Sequence, residues 1–219
     1  MHRVDIKPFL YVIGALTAAV WFGLLWFNGV DVQVDVLGAG KQLSTALSIM
    51  SIFAFGFIKW FWKIPFLPEW LVPIPNLNGT WTGQLHSTWV HPETKERIGP
   101  IPVALVIDQT FLRCTCTLYT KESSSISYES GFVIGDDNSK RLSFNYTNTA
   151  KVVHRERSQT HNGTALLKIV NHPHRALEGE YWTTRKTTGD ILLKFETKKK
   201  WEKVPDSFSH PNEPPTPES

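Results

Sequence analysis

The chain has 219 residues, 42% of them hydrophobic, and a formal net charge of +3 at pH 7. That length holds one domain with a real core besides any membrane segment. The charge is too small, and too scattered, for a nucleic-acid surface, which would carry a concentrated basic stripe, so DNA and RNA are excluded as partners.

Two stretches near the start are free of charge, Phe9 to Phe27 and Leu43 to Ile58, and Trp60, Phe61 and Trp62 prolong the second past Lys59. A membrane span needs about 20 apolar residues, so these segments predict a helical hairpin with spans at about 9–27 and 43–62. A secretory signal fits less well. Its apolar region is shorter, and the bulky run from Trp21 to Phe27 offers no small-residue cleavage site. Arg3 and Lys7 precede the first span and Lys59 and Lys63 close the second, whereas the loop holds Asp31, Asp35 and Lys41. Positive charge stays inside, which predicts two spans with both termini cytoplasmic, the loop outside and the lipid bilayer as a partner. The three Asn-x-Thr sequons, at Asn78, Asn145 and Asn162, then have no bearing. Trp60, Trp62 and Trp70 suit the interfacial belt. Gly14 with Ala18, Ala15 with Ala19, and Ser44, Ser48 and Ser51 would permit close helix contact in lipid, or are simply the small residues common in spans.

Pro65, Pro68, Pro73 and Pro75 make a stiff connector. Strand-like runs follow at Gly79–Trp89, Ile101–Gln109, Arg113–Ser123, Ser125–Ile134, Lys140–Thr147, Thr164–Val170, Leu177–Lys186 and Asp190–Lys198. Tight hairpin turns are expected at Asp136-Asp137-Asn138 and Thr187-Thr188-Gly189. No helix is expected in this part. Cys114 and Cys116, at i and i+2 on one strand, share a face and are poorly placed to bridge. They read as reduced thiols, fitting a reducing compartment. The domain plan is therefore a hairpin at 1–64, a connector at 65–77, an all-β domain at 78–202 and a disordered proline-rich tail at 203–219. Eight antiparallel strands with one apolar face predict an up-and-down β-barrel, because closure removes exposed edges, and Gly79-Thr80-Trp81 on the first strand resembles the lipocalin and streptavidin pattern. Its interior is just large enough for side chains or one small ligand.

Alternation assigns the inner face: Trp81, Gly83 and Leu85; Leu142, Phe144 and Tyr146; Ala165, Leu167 and Ile169; Leu177, Gly179, Tyr181, Thr183 and Arg185; Ile191, Leu193 and Phe195. The polar members admit two explanations. An arginine stacks on Trp81 and closes the barrel end, or the interior receives a polar, anionic ligand. The irregular stretch Thr149 to Asn162 carries His154, Arg155, Arg157 and His161, which suits phosphate recognition or a solvated basic loop. No GxSxG, P-loop or GxGxxG occurs. The Ser123-Ser124-Ser125 run reads as a strand junction, and no histidine spacing is typical of a metal site. The reading is a protein that is not an enzyme and holds no cofactor or metal.

The hairpin, Asn76-Leu77-Asn78-Gly79-Thr80-Trp81-Thr82-Gly83, His161-Asn162-Gly163-Thr164-Ala165 and the stretch Gly179 to Thr187 together resemble the two-transmembrane β-barrel effectors of CBASS anti-phage systems, the SMODS-associating two-transmembrane, β-strand-rich proteins. The resemblance covers nearly the whole chain. It implies a barrel that binds a cyclic dinucleotide made by a partner nucleotidyltransferase. Self-association and disruption of the inner membrane would follow, killing the infected cell (abortive infection). With the polar and aromatic inner face, it points to Tyr128, Tyr146 and Tyr181 as stacking or lining residues. Thr120, Thr183 and Thr187 would be hydrogen-bonding partners, and Arg157, His161 and Arg185 would face the phosphates. The alternatives are a tethered carrier for an apolar molecule or lipid and a ligand-free scaffold with a filled core.

Overall fold

The computed structural model of the protein describes residues 2–3, 6–90, 95–135, 139–156, 158–205 and 208. The chain forms two compact units, one of Val4–Asn76 with Thr110–Leu112, the other of Met1–Arg3, Leu77–Gln109 and Arg113–Ser219.

The first unit is built on α1 (Lys7–Phe27) and α2 (Val36–Lys59), of 21 and 24 residues. At 1.5 Å per residue they are about 31 and 36 Å long, and both are long and apolar enough to cross a membrane. Pro8 sits in the first turn of α1, where its missing N–H has no intrahelical partner to lose. Asp35 caps α2, its Oδ1 accepting from the Gly38 N–H at 2.8 Å. That cap starts α2 seven residues before the expected span and takes Lys41 into the helix. The helix ends at Lys59, and a 3₁₀ turn, Phe61–Lys63, follows. Gly14, Ala15, Ala18 and Ala19 are exposed, and the hydroxyls of Ser44, Ser48 and Ser51 turn back onto carbonyls of their own helix at 3.1, 2.9 and 2.7 Å. Ala39, Ala46, Met50, Gly56 and Phe57 are the buried residues of α2 instead. Phe9, Phe57, Trp62 and Phe111 form an aromatic core, with Phe9 stacked on Phe57 at 5.0 Å and tilted against Phe111 at 4.9 Å. Trp62 is thus a core residue rather than part of an interfacial belt. Trp60 and Trp70 remain exposed.

The second unit holds β1 (His2–Arg3), β2 (Gly79–Ser87), β3 (Ile101–Gln109), β4 (Cys114–Tyr119), β5 (Ser123–Ile134), β6 (Lys140–Ala150), β7 (His161–Val170), β8 (Ala176–Thr183) and β9 (Thr188–Thr197). From β2 to β9 each strand pairs antiparallel with the next, and β9 closes on β2. The result is the expected eight-stranded up-and-down barrel. β4 pairs only with Ser124–Ile126 of the longer β5, and β1 pairs with Val133 and Ile134 further along it. This ninth strand, two residues long, carries no alternation that could have announced it. The expected turn at 136–138 lies outside the described residues, as does most of the tail.

At the end where the chain enters, the barrel is solid. Trp81, Leu105, Ile107, Leu142, Phe144, Leu167, Leu177 and Leu193 are fully buried there. Gly79 has φ +127°, and a side chain there would meet Thr197 and Phe195 of the neighbouring strand. The Trp81 indole N–H donates to Leu77 O at 2.9 Å, and its ring meets Phe195 edge-on at 5.3 Å. An arginine does stack on Trp81, but it is Arg175, whose guanidinium lies 5.3 Å from Trp81 and 4.8 Å from Phe195.

Candidate functional site

At the opposite end the same inner face encloses a cavity of about 500 Å³, within the usual range for small-molecule sites. Leu85, Trp89, Ile98, Ile101 and Leu118 make an apolar wall. Tyr146 and Tyr181 supply aromatic faces. Thr120, Ser123, Ser125 and Asn148 form a polar wall, and Ser158, His161, Thr183, Arg185 and Thr187 line the cavity across from it. Alternation puts Tyr146, Asn148 and Ala150 on the inner face of β6, each buried while the residues between are less so.

Each tyrosine lies across a glycine. Tyr146 pairs with Gly163 on β7 and Tyr181 with Gly189 on β9. A Cβ on Gly163 would fall 2.5 Å from the Tyr146 hydroxyl, and one on Gly189 would fall 2.7 Å from the Tyr181 ring. The glycines make the space these rings occupy. Burial pushes both phenols up, with Tyr181 adding to the effect on Tyr146, so both are neutral donors at physiological pH.

The polar wall is a connected network. The Asn148 amide donates to Ser123 Oγ at 3.0 Å and Ser125 Oγ at 2.9 Å. Thr120 Oγ1 lies 3.1 Å from Ser123 Oγ and accepts from the Ser123 N–H at 2.9 Å. Opposite, the Thr183 and Thr187 hydroxyls are 2.6 Å apart across the β8–β9 turn. Lys186 takes φ 60° there. This turn falls at 184–187, so Thr188 and Gly189 belong to β9 and the expected turn at 187–189 is displaced. Arg185 is consequently a turn residue, exposed at the cavity mouth and not buried by strand parity, and its guanidinium donates to Ser158 Oγ at 3.3 Å. Burial is the main cause holding the His161 imidazole below its ordinary pKa. A contact with Gln159 O opposes this, and the Arg185 charge adds to it. Without a ligand His161 is therefore neutral at pH 7, not the cation expected beside a phosphate.

Of the nine residues singled out from the sequence, Thr120, Tyr146, His161, Tyr181, Thr183, Arg185 and Thr187 line this cavity. Tyr128 does not. The β5–β6 register shifts between Ser127 and Glu129, and this bulge leaves Tyr128 unpaired and 65% exposed. Arg157 lies outside the described residues. Sequence reasoning missed Ser123, Ser125 and Asn148. One further step of the series Leu142, Phe144, Tyr146 reaches Asn148, which lies one residue past the expected strand end at Thr147. The irregular stretch is correspondingly shorter, since β6 runs to Ala150 and β7 starts at His161. It also missed Glu122, the acidic group on the lining. Among the described residues no cluster of three His, Cys, Asp or Glu side chains could hold a metal ion.

Residues 72–195 match the family described as "Cap15, cyclic dinucleotide receptor domain". The chain is also 26% identical over 196 residues, 88% of its own length and 95% of the relative's, to CD-NTase-associated protein 15 of Staphylococcus schleiferi.

Proposed function

This chain belongs to the Cap15 cyclic dinucleotide receptor family, and on that premise we propose that it is a CBASS effector whose barrel takes up a cyclic dinucleotide made by a partner nucleotidyltransferase. The name of its staphylococcal relative, which ties that protein to a CD-NTase, supports the link to a synthase. The observation that carries the reading is the cavity itself: two tyrosine faces, a hydroxyl and amide wall, and Arg185 at the mouth, in about 500 Å³. Rings stack bases, hydroxyls and amides meet base edges and sugars, and a guanidinium grips phosphate. A scaffold with a filled core does not fit a cavity of this size. An apolar carrier does not account for the polar wall.

The output we assign to α1 and α2, lying in the inner membrane with the barrel on the cytoplasmic side. One hairpin has too few helices to enclose a pore, so membrane damage requires several copies. The exposed faces at Gly14, Ala15, Ala18 and Ala19 and at Ser44, Ser48 and Ser51 suit contacts between hairpins. Ligand would drive that assembly by binding the associated state more tightly. The test is calorimetry of the full chain in nanodiscs against a panel of cyclic dinucleotides, paired with dye release from vesicles carrying the protein. Binding by one member, with release that depends on it, is expected. No heat from any member would overturn the receptor reading, and binding without release would overturn the membrane-disrupting output.

A further inference from the structure

Asn148 is only 9% exposed. It lines the cavity, and its amide hydrogens are committed to Ser123 Oγ and Ser125 Oγ at 3.0 and 2.9 Å. Its Oδ1 has no hydrogen-bond partner among the described residues. A buried acceptor left without a donor is costly and uncommon. Ser123 is itself fastened to Thr120, so the amide sits against a fixed hydroxyl wall. Its oxygen is shut off from solvent, and a small turn of the side chain toward the cavity it lines would bring that acceptor to a ligand donor.

Phosphodiesters have no donor at neutral pH, so this atom is not there for the phosphates. In a cyclic dinucleotide the donors are the N–H and NH2 groups of the bases and any free ribose hydroxyl. The β6 register favours a base. Tyr146 and Asn148, at i and i+2, share the inner face and stand about 7 Å apart along the strand. A base lying on the Tyr146 ring thus brings its edge to the amide. Resting on the reading of the cavity as a cyclic dinucleotide site, we propose that Asn148 determines ligand specificity, its Oδ1 accepting a hydrogen bond from the N–H or NH2 group of a base stacked on Tyr146. A site built to pair a donor rejects an analogue lacking it far more strongly than an apolar pocket rejects a change of size.

The test uses the full chain in nanodiscs. Cyclic di-AMP, cyclic di-GMP, cyclic GMP–AMP and cyclic UMP–AMP are titrated first. The tightest binder is then compared with two analogues. One lacks every base donor (purine for guanine or adenine, N3-methyluracil for uracil) and the other lacks the free ribose hydroxyl. Native protein should bind the base analogue roughly ten- to a hundredfold more weakly than the parent. Asn148→Leu should bind the two within about threefold of each other. Asn148→Ser, which keeps a small polar group, guards against a folding defect and should lose the same discrimination, with thermal melting of both variants followed by circular dichroism. An unchanged parent-to-analogue ratio in the variants overturns the assignment while leaving the receptor reading intact. So does a penalty that vanishes in the variants only for the deoxyribose analogue. Failure of native protein to bind any member overturns both.

Discussion

Arg175 and Arg185 divide two roles that strand parity assigned to one side chain. Arg175 covers the Trp81 and Phe195 rings at the solid end. Arg185 stands at the mouth of the cavity with Ser158. Their alanine variants should therefore behave oppositely. Arg185→Ala should move the melting midpoint by less than about 2 °C, as surface changes do, and weaken cyclic dinucleotide binding roughly ten- to a hundredfold, the worth of a charged hydrogen bond. Arg175→Ala removes a cation–π contact worth about 0.5–1 kcal/mol at an exposed site. It should lower the midpoint by about 1–4 °C and leave affinity within about twofold. His161 gives a pH signature. Its folded pKa lies below the ordinary 6.5, so the stability it contributes is present above pH 6.5 and is lost as pH falls through the folded value. Phosphate beside it favours the cation. Ligand affinity should therefore rise between pH 7.5 and 6 while the free protein loses stability below 6.5, and His161→Gln should flatten both trends. A titration of melting midpoint and Kd over that range checks the signs.

Among the elements, β6 and β7 are coupled through the fit of a ring over a glycine. Gly163 pairs with Tyr146, and a methyl group there meets both the phenol and the Trp182 carbonyl. Gly163→Ala should destabilise the barrel by about 1–3 kcal/mol, the usual cost of overpacking. It should also weaken ligand binding, since the displaced ring moves within the cavity. Chemical denaturation and calorimetry on the same samples separate the two effects. The sequence stretch His161-Asn162-Gly163-Thr164 thus carries a physical requirement for glycine. β5 shows the opposite case, where its bulge turned Tyr128 outward although the flanking residues follow the ladder on either side.

At the level of the whole chain, the apolar helices and the barrel belong to separate compact units, for which we propose distinct solvents. α1 and α2 leave much apolar surface exposed, including Leu10, Phe22, Leu47, Ile52 and Phe55, which suits the proposed place in a bilayer. Lys7 opens α1 and Lys59 closes α2, with Asp31 and Asp35 between the helices. In the proposed orientation, with both termini cytoplasmic, an epitope placed at the C-terminus should resist protease added to intact spheroplasts and be cleaved after lysis, whereas one inserted at Val34 should be cleaved in both. Cleavage of the C-terminal epitope before lysis would reverse the orientation.

Much of the architecture could be read from residue order because it rests on one-dimensional patterns. The uncharged runs, the alternation of Ile191, Leu193 and Phe195, and the proline connector announced two long apolar helices and an eight-stranded barrel. So did the tyrosines and threonines that strand parity turned inward. What escaped depends on how strands are registered and where they stop. A one-residue bulge expelled Tyr128. A turn three residues earlier than expected carried Arg185 from a buried strand position to an exposed rim. Three more residues of β6 brought Asn148 against Ser123 and Ser125. Periodicity reports which face a residue occupies while a strand lasts. It is silent on bulges and strand ends, because backbone hydrogen bonds to neighbouring strands set those, and those partners are distant in the chain.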